Sequence, residues 1–390
     1  MQALPSGYLK GIRVLDLSRL LPGPFASLVL ADMGATVDKV EDLGGGDYLR
    51  HMPPMIGDQS GMFLALNRNK RSICLDLKKP AAQQALLALV GSYDVLLEQF
   101  RPGVLDRLGL SHATLRAKNP RLVVCALTGY GQDGPLAHRA GHDLNYLARA
   151  GVLGFQGPAD QAPAVPGFQL ADVSGGLWSV IGILGALHER AKTGEGSLVD
   201  IAMIETSIGF AALGFGAMFA GTEPRRGDDL LTGGLAGYAT YLTKDGKAVA
   251  LGALEPKFWI DFCQGVGIEP DMATMMPGPH QRGLKAKLAA IFLTKTRDEW
   301  ESFAKDRDCC LEPVLEPHET LADPHLAARG MFFDMPSPWG TLRQARTPLT
   351  PRGASHTPPP RQGEHTSAIL REAGLSDEAI AALKADGAAR

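Results

Sequence analysis

Cysteine is scarce and scattered. Five thiols (Cys74, Cys125, Cys263, Cys309 and Cys310) are spread over 390 residues without a C-x-x-C pair, which argues against a disulfide framework and against a structural zinc site. Runs of one charge are missing too: 39 basic residues against 42 acidic ones leave a formal charge of −3. A general nucleic-acid binder needs a basic footprint that this chain lacks, although a local basic cluster for a small phosphorylated ligand stays open. The opening MQALPSGYLKGIRV lacks the basic-then-apolar layout of a secretion signal, and the closing DGAAR matches no known address tag. Of the two most apolar stretches, Val173–Leu187 falls short of the ~20 residues that span a bilayer, and Ile201–Ala220 is interrupted by Glu205, Thr206 and Ser207. Both are expected as buried helices. The expectation is a soluble, cytoplasmic protein with neither nucleic acid nor membrane as partner.

Cofactor signatures are equally absent. The turn after the first strand reads Leu21-Pro22-Gly23-Pro24 rather than G-x-G-x-x-G, so a dinucleotide site of the usual kind is unsupported. No Walker A sequence, G-x-S-x-G elbow or HExxH occurs. Metal, nicotinamide and serine-hydrolase chemistry lose ground, and no cofactor is expected. What is present is a chain able to bury a sizeable core, 45% hydrophobic and 21% charged, and long enough for two or three domains at about 150 residues each.

Apolar periodicity in the first third alternates in type. Ile12–Leu17 has strand length, Pro24–Met33 has helical spacing closed by Gly34, and Thr36–Glu41 alternates as a strand does. Ser72–Leu77, the helix candidate Ala81–Val90, Asp94–Gln99 and Leu122–Thr128 continue the series. Such alternation predicts an α/β domain: an open sheet with right-handed crossovers and helices on both faces. A helix-rich stretch over about 142–221 follows, broken by the loop Gly157–Gly167. Tyr238–Thr243 and Lys247–Leu251 then flank Lys244-Asp245-Gly246 as a hairpin, with helices near Lys257–Val266, Leu284–Phe292 and Asp298–Ala304. The expected organisation is a large α/β domain over 1–224 and a smaller α+β domain over 225–330. In the remaining segment, 331–390, a Pro-, Arg-, Thr- and Gly-rich linker without regular structure (335–363) leads to a helix over Thr366–Leu383 that returns to the large domain.

An ordered series of short motifs carries a resemblance. Pro22-Gly23-Pro24 precedes Leu30-Ala31-Asp32-Met33-Gly34-Ala35; Lys70-Arg71-Ser72 leads into Leu75-Asp76-Leu77-Lys78; Asp94-Val95-Leu96-Leu97-Glu98 leads into Arg101-Pro102-Gly103. Further on come Leu127-Thr128-Gly129-Tyr130-Gly131-Gln132, Gly141-His142-Asp143-Leu144-Asn145-Tyr146, Ala171-Asp172-Val173-Ser174-Gly175-Gly176 and Gly252-Ala253-Leu254-Glu255-Pro256. The series resembles the class III CoA-transferase family, also called the carnitine/bile-acid CoA-transferase (CaiB/BaiF) family, and within it the α-methylacyl-CoA racemase branch. It runs collinearly from about residue 8 to the C-terminal helix. The resemblance implies a Rossmann-like large domain, ring-shaped subunits interlocked as a homodimer, and a CoA thioester bound near the domain boundary as substrate.

It also implies roles for particular residues. The family's transferases use one aspartate as nucleophile, matched by Asp172, which would attack the acyl carbonyl, release CoA as thiolate and hold the acyl group as a mixed anhydride. The racemases keep that acid and add a histidine in G-H-D-x-N-Y, matched by His142, and a glutamate in G-A-x-E-P, matched by Glu255. The α-proton of a thioester is weakly acidic, so its removal needs a positioned base and hydrogen bonds to the enolate oxygen. The implied set is His142 and Asp172 as bases on opposite faces, Asp143 at a helix start whose N–H groups meet the enolate, and Glu255 orienting the imidazole. Lys39, Lys70, Arg71 and Arg101 are the implied phosphate partners, with Leu75, Asp76, Leu77, Lys78, Gly141, Asn145 and Tyr146 completing the CoA site. Plainer readings stand beside these: His142 as a cap or surface residue, Asp172 and Glu255 as helix caps, and the cations as solvated charges.

Two departures bear on substrate. Thr232-Gly233-Gly234-Leu235-Ala236 stands where racemases show D-G-G-A-P, in a segment expected to line the acyl pocket. Asp42 stands where an arginine often follows the second strand, which removes a phosphate contact. The leading expectation is a 2-methylacyl-CoA racemase or epimerase without metal or redox cofactor. The alternative is CoA transfer between carboxylic acids through Asp172, and a third reading is a CoA-binding protein without catalysis.

Overall fold

The computed structural model describes residues 7–390. The chain forms two units: one comprises the chain through Ala150, Phe168–Gly209 and Pro324–Arg390, the other Gly151–Gly167 and Phe210–Asp323. The division falls at 209 rather than 224, and the loop 151–167 belongs to the second unit rather than the first. Phe155 explains that placement. Its ring packs edge-on against Phe215 at 5.7 Å, and a Cβ on Gly214 would lie 2.4 Å from it.

The first unit is built on six parallel strands, β1 (Arg13–Asp16), β2 (Thr36–Glu41), β3 (Lys70–Cys74), β4 (Val95–Glu98), β5 (Val123–Thr128) and β6 (Leu198–Ala202), in the order β3-β2-β1-β4-β5-β6. This is the doubly wound Rossmann order, whose direction reverses between β1 and β4. The central strands read as near-continuous apolar runs because both faces are covered: every residue of β4 and β5 is buried. Helix α1 (Pro22–Asp32) follows β1 and α2 (Pro80–Val90) follows β3. Strand β6 lies inside the stretch expected to be helical. It is an edge strand whose burial alternates, so its five residues carry only half an apolar signal.

Two further expectations are corrected in this unit. The linker 335–363 opens in a regular hairpin, Phe332–Ser337 paired antiparallel with Gly340–Ala345. The single helix expected over Thr366–Leu383 is two, Thr366–Glu372 and Asp377–Ala385, parted near Gly374 at φ +89°. The tail does return to the sheet: Leu75 bridges Ala389, and Ile369, Leu370, Ile380 and Leu383 are buried with Leu15, Ile73 and Leu96. Asp32, the last residue of α1, ties this return together. Its carboxylate accepts from Arg68 Nε and Nη2 (3.1 and 2.6 Å), Asn69 Nδ2 (2.9 Å), Thr347 Oγ1 (3.1 Å) and Thr350 Oγ1 (2.7 Å).

The helix containing Val173–Leu187 runs over 24 residues, Leu170–Thr193, long and apolar enough to cross a membrane by length and composition. Its small residues instead meet the first unit's core. A Cβ on Gly176 would lie 2.7 Å from Pro22 O, and one on Gly175 would lie 2.7 Å from Met203 Cγ. Ile201–Ala220 is not one buried helix: it ends β6, forms Met203–Ile208, and then in the second unit forms Ala212–Phe219, which has no buried residue.

The second unit holds an antiparallel sheet of β7 (Tyr238–Leu242), β8 (Ala248–Gly252) and β9 (Leu311–Pro313) in the order β9-β8-β7. Gly246 takes the positive φ (+74°) in the β7–β8 turn. Helices Pro256–Val266, Gln281–Phe292 and Arg297–Lys305 bury Trp259, Phe262, Phe292 and Trp300 against the sheet.

Candidate active site

Ligands of doubly wound sheets gather beyond the carboxyl ends of the strands, and two cavities of the first unit lie there. One, of about 550 Å³, is lined by Arg19 after β1, Gln99, Phe100 and Arg101 after β4, Thr128 and Gly129 after β5, and by Arg139, Gly141, His142, Tyr146 and Asp172. The other, of about 510 Å³, is lined by Ser18 and Arg19 after β1, Asp42–Gly44 after β2, Leu75, Asp76, Leu77 and Lys78 after β3, and Phe100 after β4. Arg19, Phe100 and Val104 line both.

The segment Gly141–Tyr146 braces itself at the start of a helix. His142 precedes the helix α3 (Asp143–Arg149), and its backbone N–H donates to Asn145 Oδ1 at 3.0 Å. The Tyr146 hydroxyl donates to Gly141 O at 2.6 Å. Position 141 must be glycine: a Cβ there would lie 2.7 Å from the Tyr146 ring, and one on Gly129 would lie 2.4 Å from it. Asp143 Oδ1 reaches across to accept from the N–H groups of Ala171 (2.6 Å) and Asp172 (3.1 Å), in the first turn of the helix Leu170–Thr193, hereafter α4. The structure thus gives Asn145, Tyr146 and the Asp143 carboxylate positioning work. The imidazole of His142 is exposed on the cavity wall at the N-cap position of α3, where the side chains of His142 and Asn145 form a capping box.

Asp172 is the third residue of α4, not its N-cap, which is Gln169. Burial, with a second contribution from the charge of Asp143, raises its pKa to about 7. Two expectations follow. Catalysis should show an ionisation near neutrality that moves down in Asp143→Asn, where the amide oxygen keeps the α4 contacts and the charge is gone; a pH profile of kcat/KM checks this. The folded value also exceeds the unfolded one of about 3.9, so the folded state holds more protons between these values. Stability therefore falls as pH rises from about 4 to 7, and Asp172→Asn should melt higher than the wild type at pH 8 but not at pH 4.

Three of the four expected phosphate partners are corrected. Lys39 and Lys70 are buried. The Lys39 ammonium meets Asp47 Oδ2 at 2.9 Å and Ser18 O at 2.7 Å; burial opposes its charge, but Asp47, Asp16 and Glu41 overcome this and hold its pKa raised. Lys70 donates to Pro24 O and Asn67 Oδ1, both at 2.9 Å, and burial lowers its pKa to about 7. Arg71, next to the start of β3 and thus at the opposite end of the sheet, is spent on Asp38 (2.6 and 2.9 Å) and Glu372 (2.6 and 2.9 Å). Arg101 lines the His142 cavity, and it is exposed. Arg19 and Arg139, exposed in the same wall, escaped the sequence reading. The usable signal was position: one stands three residues after the end of β1 and the other three residues before His142.

Glu255 belongs to the second unit. It is exposed, precedes the helix Pro256–Val266 and makes no side-chain capping bond there. Thr232 and Gly233 line a groove of about 650 Å³ within that unit, together with Tyr241, Lys285 and Leu293. Among the described residues no group of three or more His, Cys, Asp or Glu side chains is arranged to hold a metal ion.

Comparison with known proteins finds similar chains over nearly the whole length. The family model described as CoA-transferase family III matches residues 9–366. Alpha-methylacyl-CoA racemase of Mus musculus is 38% identical over 385 residues, which cover 97% of this chain and 96% of that protein. An acyl-CoA transferase of Fusarium pseudograminearum is 36% identical over 404 residues, covering 98% of this chain and 88% of that one. A CaiB/BaiF family protein from Brucella suis, solved as a crystal structure, superposes with a TM-score of 0.82 at 31% identity, covering 95% of this chain and 100% of that one.

Proposed function

Given that this chain belongs to CoA-transferase family III, we propose that it racemises or epimerises 2-methylacyl-CoA thioesters by moving the α-proton between His142 and Asp172. One observation carries the reading: the exposed imidazole of His142 and an Asp172 raised to about 7 line one cavity. Acid–base catalysis is most effective when the group titrates near the working pH. One group takes the α-proton, the electron pair moves onto the thioester oxygen as an enolate, and the other group, initially protonated, returns a proton to the opposite face. No atom is lost, and the two groups exchange protonation states. The first-turn N–H groups of α3, at Asp143 and Leu144, have no intrahelical acceptor and are the proposed donors to the enolate oxygen.

The relative named alpha-methylacyl-CoA racemase supports this branch; the relative named acyl-CoA transferase supports a second reading, in which Asp172 is acylated. Hydroxylamine separates the two. Incubated with acyl-CoA and hydroxylamine, the protein should keep Asp172 unmodified, whereas an aspartyl hydroxamate at that position would contradict the racemase account.

The thioester is placed beside His142 and Asp172, and the nucleotide end of CoA in the cavity bounded by Leu75–Lys78. Arg101, Arg19 and Arg139 then serve the phosphates. Arg101→Ala should weaken CoA binding by about ten- to hundredfold, the worth of one charge-assisted contact, while Arg71→Ala should leave it within about twofold of the wild type; calorimetry reads both. We further propose a cytoplasmic, interlocked homodimer. Apolar side chains exposed in the second unit, Phe210 at 56%, Leu213 at 75% and Phe219 at 80%, support association. Light scattering should give a dimer that persists on dilution, and a stable folded monomer at micromolar concentration would contradict it.

A further inference from the structure

We propose that Asp42 sets the nucleotide preference of this chain, disfavouring the ribose 3′-phosphate of CoA, so that 3′-dephospho-CoA and its thioesters bind at least as tightly as CoA and its thioesters. The inference rests on the reading above that the cavity beyond β1, β2 and β3 holds the nucleotide end of the substrate. In a sheet of this order a bound nucleotide lies at the reversal point, with its ribose beyond the end of β2. An acid there accepts hydrogen bonds from ribose hydroxyls, whereas a ribose phosphate calls for a cation. Strand β2 ends at Glu41, and the next residue, Asp42, is exposed on the cavity wall.

The carboxylate cannot swing aside without loss. Asp42 Oδ1 accepts from the backbone N–H groups of Gly44 (2.8 Å), Gly45 (2.9 Å) and Gly46 (3.2 Å), and its carbonyl accepts from Gln362 Nε2 at 2.8 Å. Among the described residues no protein donor meets Oδ2 and no cation pairs with the side chain, so one carboxylate oxygen and the full charge remain for the ligand. Two neighbouring acids are already committed: Glu41 holds Arg50 at 2.6 Å and Asp47 holds Lys39 at 2.9 Å. Asp76, after β3, accepts from the Lys78 N–H at 3.1 Å and pairs with no cation among the described residues, so it adds a second negative charge to the wall. The cations of this wall lie on other segments: Lys78 after β3, and Arg19 after β1 with its guanidinium 4.5 Å from the centre of the Tyr48 ring. Arg390 donates to Leu43 O at 3.3 Å beside the same loop. With Arg101 and Arg139 of the adjoining cavity, these suit the diphosphate, while the site beyond β2 offers a ribose the acceptor Asp42.

Calorimetry of the full chain with CoA and with 3′-dephospho-CoA tests this. The wild type should bind dephospho-CoA at least as tightly as CoA. Asp42→Asn keeps the Oδ1 acceptor for the glycine amides and removes the charge; it should improve CoA binding by about three- to tenfold at low salt, less at high salt, with dephospho-CoA changed less than about twofold. Asp42→Arg should reverse the order in favour of CoA. A wild type that prefers CoA by about tenfold or more, or an Asp42→Asn variant that shifts both ligands alike, overturns the proposal and leaves the acyl-CoA reading standing. Binding of neither ligand overturns both.

Discussion

His142→Ala and Asp172→Asn should each lower racemisation by about 10²–10⁴-fold, the usual worth of a positioned acid or base, with CoA affinity nearly unchanged. The prediction has a sharper part, because two bases on opposite faces leave different remnants. With His142 gone, Asp172 still reaches the α-proton of one enantiomer only; with Asp172 neutralised, His142 reaches that of the other. Residual solvent exchange should therefore be confined to opposite enantiomers in the two variants. The local structure favours a clean comparison. The backbone N–H of His142 is held by Asn145 and the start of α4 by Asp143, and both contacts remain in either variant. Variants that retain the same enantiomer, or a His142→Ala enzyme that racemises at the wild-type rate, would contradict the assignment.

Asp32→Ala should cost about 3–5 kcal/mol of stability, because it strands a buried charge. Arg68 is 1% exposed, with its guanidinium bidentate on Asp32, and Asn69, Thr347 and Thr350 donate to the same carboxylate. One acid thereby fastens the end of α1 to the segment that begins β3 and to the returning C-terminal segment. Arg68 Nη1 keeps only Gln344 Oε1, at 3.0 Å, when the acid is removed. Asp334→Ala is the natural control, since its partner Arg343 is exposed and such pairs are worth about 0–1 kcal/mol. Urea unfolding measures both; a loss below about 1 kcal/mol for Asp32→Ala would show that the network is not what secures the return.

Much of the fold was legible because its period was clean. Thr36–Glu41 was readable as β2 to the residue, and the β7–β8 hairpin was readable from its alternation around Gly246. Strand β6 escaped because it is a short edge strand between helices, and the hairpin at 332–345 escaped because Pro336 and Pro338 read as linker. The cations failed for a different reason. In a half-buried strand Lys39 would alternate to solvent, but β2 lies inside a sheet covered on both faces, where Asp38 and Lys39 are both 0% exposed. Lys70 and Arg71 open β3 rather than follow it, which places them at the end where ligands do not gather. The Gly141–Tyr146 motif was legible as a motif, yet its division of labour was not. That Asn145, Tyr146 and Asp143 brace while the His142 imidazole lies exposed on the cavity wall depends on contacts no spacing specifies.

The central claim is proton transfer at the α-carbon, and incubation of the wild type with an (S)-2-methylacyl-CoA in D2O, without any added carboxylic acid, tests it most directly. The account predicts a one-unit mass increase at the α-position together with growth of the R epimer toward equilibrium. No deuterium incorporation across a panel of such esters, with CoA moving only when an acceptor acid is supplied, would contradict it and assign the chemistry to acyl transfer on Asp172.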